Sequence, residues 1–188
     1  MPSFSIALAQ ADDFADVLAL QEQNHLSALP EESLADGFVT TQLSPETLQH
    51  MSAEQGIWVV RDADGNLAAY ACANGWDFYG DGPFQRAAKA KLPAEVDGRT
   101  VRADNSFQYG PVCVAGNFRG QGVLQLVVKT IRAHYAPRFD FGITFIDIRN
   151  ARSLAAHQRK LDFQQIAMLP FATVTYHMLA FPTKPRSN

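Results

Sequence analysis

The 188-residue chain has little of what marks the specialised function classes. It carries two cysteines, Cys72 and Cys113, each inside an apolar strand-like segment, with no Cys-x-x-Cys or His-x-His companion. A disulfide framework and a cysteine-built metal site are therefore not expected. No Lys/Arg cluster occurs, and 16 basic against 19 acidic residues leave a net charge of −3. A nucleic-acid scaffold would present a basic face, so that class is set aside. No apolar run approaches the length that spans a bilayer. The opening MPSFSIALAQADDF lacks the basic-then-apolar order of a secretory signal. Repeats, low-complexity tracts and linkers are absent as well. The expectation is a reduced, cytoplasmic protein without metal, nucleic-acid or membrane partners.

The chain is 47% apolar and 19% charged, an ordinary globular composition, and its length suits one domain with a proper core. Residues 3–9 read as a strand, followed by a helical pattern from Phe14 to about Leu29, closed by Pro30. Ser44-Pro45-Glu46 is a helix start, with a cap, a proline and an acid in the first turn, and that helix runs to about Gln55. Ile57–Val60 and Leu67–Ala73 flank Asp62-Ala-Asp-Gly-Asn66, a hairpin signal. Residues 74–106 are broken by Gly75, Gly80, Gly82 and Pro83 around Trp76, Phe78, Tyr79 and Phe84, with a short helix near Gln85–Lys91. This stretch is expected to lie over the sheet as an insertion. Beyond the central motif come a strand at Gly142–Ile148, a helix at Asn150–Leu161, and strands at 163–169 and 172–180. Residues 1–181 form the expected domain and 182–188 a loose tail.

The most informative stretch is Pro111-Val-Cys-Val-Ala-Gly-Asn-Phe-Arg-Gly-Gln-Gly-Val-Leu124. An apolar strand leads into Arg119-Gly120-Gln121-Gly122. Then Val123, Leu124, Val127, Val128, Ile131 and Tyr135 recur at helical spacing. Strand, glycine turn and helix aim free N–H groups and a positive helix end at a phosphate. A Rossmann fingerprint needs a third glycine where Gln125 stands, and a P-loop needs Gly-Lys-Ser/Thr, which is absent.

Arg119-Gly-Gln-Gly-Val-Leu124 resembles the acetyl-CoA pyrophosphate loop of the GNAT acetyltransferases, (Gln/Arg)-x-x-Gly-x-(Gly/Ala). About 30 residues on, Asn150-Ala-Arg-Ser-Leu-Ala-Ala-His157 with Lys160-Leu-Asp-Phe163 is similar to that family's second motif. Leu124 departs from Gly/Ala, Asp162 replaces a glycine, and the second motif is one residue longer than usual. The resemblance implies a mixed α/β (α+β) fold: a largely antiparallel sheet of about seven strands, flanked by helices. It also implies acetyl-CoA as co-substrate and an amine acceptor, small or amino-acid-like. A homodimer is compatible with it, and a non-catalytic acyl-CoA sensor of the same fold is the alternative.

The resemblance assigns roles residue by residue. The backbones of Val112, Cys113, Val114 and Ala115 would pair with pantetheine, the Val114 N–H polarising the thioester carbonyl. Gly120, Gln121, Gly122, Val123 and Leu124 would hold the pyrophosphate through their amides, with Arg119 adding charge. Asn150, Ser153 and His157 share a helix face at i, i+3 and i+7. His157 is the candidate acid for the departing thiolate, with Gln158 in its place if the register is counted from Phe163. Tyr109 is a core aromatic or a sulfur contact, and Cys113 is packing or a border of the acceptor site. Glu22, His25 and Asp77 are candidate bases.

Overall fold

The computed structural model describes residues 3–184. Seven strands form one mixed sheet in the order β1-β2-β3-β6-β7-β9-β8: β1 (Ser5–Leu8), β2 (Ile57–Arg61), β3 (Leu67–Gly75), β6 (Ser106–Val114), β7 (Phe141–Asp147), β8 (Gln164–Phe171) and β9 (Val174–Pro182). A separate hairpin is made by β4 (Ala94–Val96) and β5 (Arg99–Val101). Helices are α1 (Phe14–Asn24), α2 (Pro45–Ala53), α3 (Pro83–Lys89), α4 (Val123–Tyr135) and α5 (Ala151–Leu161). The pairs β1–β2, β2–β3, β7–β9 and β8–β9 are antiparallel, whereas β6–β7 is parallel. This is the mixed, largely antiparallel architecture expected. The chain divides into two compact units, Met1–Ala73 with Gly110–Thr130, and Asn74–Tyr109 with Ile131–Asn188.

In the first unit β2 is buried along Ile57–Val60, so its residues read as a continuous apolar run instead of an alternation. The β2–β3 turn is built as its sequence demands: Gly65 takes φ 84°, and Asp62 Oδ1 accepts the N–H groups of Asp64 and Asn66. Helix α1 buries Val17, Leu20 and Gln21, and the Gln21 amide clamps Leu43, accepting its N–H at 2.8 Å and donating to its carbonyl at 3.3 Å. Ser44 caps α2 by accepting the Thr47 N–H.

Helix α1 ends at Asn24, five residues before the expected Leu29. His25 turns extended (φ −73°, ψ 140°), and its ring accepts the Ser27 N–H to cap a 3-10 turn over Leu26–Ala28. The Asn24 carbonyl is taken by Val39 at 2.9 Å. A tertiary bond replaces the next helical one.

In the second unit the 74–106 stretch covers one face of the sheet, as expected. Trp76, Ala88, Val96 and Val101 pack with Phe141, Ile143, Leu169, Met178 and Ala180. Trp76 Nε1 donates to Ser106 Oγ at 3.1 Å, and Gln108 Nε2 donates to Gln85 Oε1 at 2.7 Å, satisfying buried polar atoms on this face. Phe84 meets Phe145, Phe171 and Tyr176 edge-on. On the opposite face Phe107 stacks on Tyr135 and Phe163 on Phe181, both at 4.1 Å. Gly142 lies beneath these rings, and a Cβ there would collide with Phe181 and Phe107.

The hairpin β4–β5 was not foreseen, although Asp97-Gly98 is a hairpin turn and both residues take positive φ, 53° and 72°. The stretch expected to be loose from Pro182 is ordered at its start. Strand β9 includes Pro182, and Thr183 is buried with its hydroxyl donating to the Phe139 carbonyl at 2.7 Å. Residues 185–188 lie outside the described residues.

Candidate functional site

The first unit holds the glycine loop. Gly120 and Gly122 take φ 79° and 88°, conformations that a side chain strains. Space in their Cβ directions is open to 4 Å, so the backbone is bare on that side. Helix α4 follows at Val123, with its first recorded return bond from Leu126 N–H to Gly122 O at 3.1 Å. Residues 119–122 form a turn, and the leading N–H groups of α4 have no intrahelical acceptor, as at any helix start. Free amides, bare backbone and a positive helix end together suit a phosphate. Val123, Val127, Val128, Ile131 and Tyr135 are buried, as their spacing predicts, while Leu124 is half-exposed.

The approach strand differs from expectation at Ala115. Its N–H donates to the Ala68 carbonyl at 2.9 Å, and its carbonyl accepts the Phe118 N–H at 2.9 Å. Its N–H is therefore engaged within the sheet. Alternation along the strand sends the N–H groups of Val112 and Val114 to the other edge. Cys113 faces away from its half-buried neighbours and is buried; desolvation pushes its thiol up to about 12. A thiol so rarely ionised packs and does not attack.

Arg119 does something the sequence did not reveal. Its Nε donates to the Val114 carbonyl (3.1 Å), Nη1 to the Asp36 carbonyl (2.9 Å) and Nη2 to Asn24 Oδ1 (3.0 Å). The guanidinium joins four pieces of chain instead of lying free on the surface.

The second unit holds the α5 motif. Asn150 caps the helix, its Oδ1 accepting the Ser153 N–H at 3.2 Å. The Nδ1 of His157 lies 2.7 Å from the Ser153 carbonyl and 3.4 Å from its Oγ, so the i, i+3, i+7 face is physically linked. His157 is 2% exposed whereas Gln158 is exposed. Asp162 closes the helix in the left-handed conformation (φ 58°), and the Phe163 N–H returns to the His157 carbonyl at 3.2 Å. Asp at this position does the work of the glycine it replaces.

Burial lowers the His157 imidazole from its ordinary value to about 4. At neutral pH the ring is therefore uncharged, with Nδ1–H donated to Ser153 and Nε2 a bare acceptor. That Nε2 and the hydroxyl of Tyr109 are both buried and unpartnered among the described residues. The two rings lie 5.8 Å apart, beside Phe163. Burial also raises the Tyr109 phenol. Arg132 spans this neighbourhood, donating to the Leu161 carbonyl at 2.9 Å over the Phe181 ring.

Of the candidate bases, Glu22 and Asp77 are exposed. The His25 ring is occupied: Nδ1 accepts from Ser27 and Nε2 faces the Thr40 carbonyl at 3.3 Å. No cluster of three His, Cys, Asp or Glu suited to a metal occurs among the described residues, nor is any helix long and apolar enough to cross a membrane.

Comparison with known proteins follows the same lines. No protein-family model matches the sequence, and no curated protein does. Solved structures do match along the whole chain. The ribosomal-protein-S18-alanine N-acetyltransferase of Escherichia coli superposes with a TM-score of 0.62 at 12% identity, over 98% of this chain and 97% of that one. A protein assigned as an acetyltransferase from Salmonella typhimurium, solved with its cofactor acetyl-CoA, gives 0.62 at 14% identity, covering 98% and 96%. An acetyltransferase of the GNAT family from Streptococcus pneumoniae gives 0.60 at 11% identity, covering 96% and 99%. The fold is that of the GNAT N-acetyltransferase superfamily.

Proposed function

We propose that this protein transfers an acetyl group from acetyl-CoA to an amine of a small or amino-acid-like acceptor, by direct attack on the thioester. The observation that carries this reading is the glycine loop: Gly120 and Gly122 at positive φ, with open space in their Cβ directions, lead into the N-terminus of α4. The neighbour solved with acetyl-CoA supports the choice of that ligand among phosphates. In this reading the loop amides hold the pyrophosphate. The Val112 and Val114 amides, turned away from Ala68, hold the acyl arm, and the Val114 N–H stabilises the charge that builds on the carbonyl oxygen. The neutral amine forms the new C–N bond as the C–S bond breaks, its nitrogen gives up one proton to water, and the thiolate departs with a proton. Cys113, kept as a thiol, forms no acyl intermediate.

His157 remains the proposed donor of that proton, with Asn150 and Ser153 fixing its ring. The role requires an imidazolium, because the neutral ring has committed its one N–H to Ser153. Activity limited by this step therefore rises as pH falls below neutrality. The second reading, an acyl-CoA sensor without turnover, is favoured by one observation: a ring that is buried and neutral at the donor position.

The experiment is calorimetric titration with acetyl-CoA, followed by thiol release across a panel of amines. Binding with release for some amine supports transfer. Binding without release across the panel supports the sensor, and no binding removes both readings.

A further inference from the structure

The three bonds of Arg119 place one guanidinium at a junction. Val114 ends β6 just before the loop, Asn24 is the last residue of α1, and Asp36 ends the 3-10 turn Glu31–Asp36. Asn24 is itself held, its Nδ2 donating to the Leu20 carbonyl and its carbonyl accepting from Val39, both at 2.9 Å. Leu26 returns the pairing by donating to the Val39 carbonyl at 2.9 Å. Residues 24–39 thus close on themselves, and Arg119 bonds this closed segment to the start of the glycine loop.

All three acceptors are neutral, so the side chain keeps its full charge next to the loop while its geometry is spent on protein oxygens. A lysine has the charge but not the planar fork that reaches three separated acceptors. Sequence reasoning assigns Arg119 to the phosphate itself, whereas the geometry assigns its hydrogen bonds elsewhere.

We infer that Arg119 is a positioning residue that ties the glycine loop to segment 24–39, so that a pyrophosphate-bearing ligand on the loop and order in 24–39 are coupled. This rests on the reading of the loop as a coenzyme A cradle. The coupling is reciprocal: whatever orders 24–39 tightens the loop's hold on the ligand by the same factor. The positive charge still attracts the pyrophosphate without touching it.

Amide hydrogen exchange on the full chain tests this in two arms. Without ligand, Arg119→Ala speeds exchange of residues 24–39 and of the hydrogen-bonded amides at 118 and 119 together by about tenfold or more, since hydrogen bonds to a charged group are lost. Amides of β7 and β9 keep their wild-type rates. Arg119→Lys does not restore the protection, and Asn24→Ala, which keeps the charge and removes one bond, gives a smaller change in the same direction. With saturating coenzyme A, 24–39 is further protected in the wild type. In Arg119→Ala that added protection is absent although residues 120–124 remain protected. Equal protection of 24–39 by coenzyme A in both proteins overturns the coupling. Unchanged ligand-free exchange in Arg119→Ala overturns the brace. If coenzyme A protects nothing at 120–124 in the wild type, the cradle reading fails, and the ligand-free arm still judges the brace by itself.

Discussion

The Nδ1 atom of His157 lies 2.7 Å from the carbonyl oxygen of Ser153, one turn earlier on α5. That bond fixes the tautomer: the proton sits on Nδ1, and Nε2 is left as an acceptor. In a site 2% exposed the neutral ring is the stable form.

One consequence is a stability that depends on acid. The folded-state value, about 4, is below the unfolded value of 6.5, so protons bind the unfolded chain more tightly. The contribution of the neutral ring is full above pH 6.5 and is lost as pH falls toward 4, amounting to about 3 kcal/mol over that range. Urea unfolding between pH 7.5 and 4 should show this slope, and His157→Phe should flatten it. A wild-type slope that survives the substitution would assign the acid sensitivity to other groups.

The same titration bears on catalysis. If His157 protonates the thiolate, the rate at saturating substrate follows the imidazolium fraction. It then climbs about tenfold for each pH unit below neutrality until pH nears the ring's own value. His157→Gln loses that climb and keeps acetyl-CoA binding. A pH-independent rate that His157→Gln leaves unchanged would make the residue a packing group.

At the loop, Gly122→Ala should weaken acetyl-CoA binding about five- to thirtyfold, the equivalent of the 1–2 kcal/mol that a Cβ costs at φ 88°. Far-UV circular dichroism should change little, since the Cβ direction is open, and any strain that the free loop does not relax appears as a lower unfolding midpoint. Calorimetry with acetyl-CoA checks this, and wild-type affinity would mean that the loop does not hold the pyrophosphate.

Gly142→Ala should behave in the opposite way. Its Cβ direction is blocked by Phe181 and Phe107, both buried. Overpacking there should destabilise the fold by about 1–3 kcal/mol in urea unfolding. A stability within error of the wild type would show that the two rings move aside freely.

Local chemistry made much of this protein readable in advance. The Asp62–Asn66 turn, the Ser44 cap and the α4 apolar stripe each depend on residues close in sequence, and each stands where its residues put it. The end of α1 did not, because the competitor for the Asn24 carbonyl was Val39, fifteen residues away. The insertion's position over the sheet was foreseen, whereas its Asp97-Gly98 hairpin, a local signal, was overlooked.

The candidate site divides in the same manner. Gly120, Gly122, Asn150 and His157 were legible, since turn conformation, capping and helix face follow from residue type and spacing. The partner of the Ala115 N–H was not legible, because it lies on another strand, at Ala68.

By itself the sequence determined the strand–glycine–helix unit, the seven-stranded mixed sheet it resembles, and the order of the two motifs. Tertiary structure decided what each side chain is used for. Burial, a property of the packed whole, lowers the His157 imidazole and raises the Cys113 thiol. Three acceptors, two of them far along the chain, hold the Arg119 guanidinium, which the sequence alone assigned to the pyrophosphate. Spacing along a chain fixes which face a residue shares, but its protonation and its partners are set by what folds against that face.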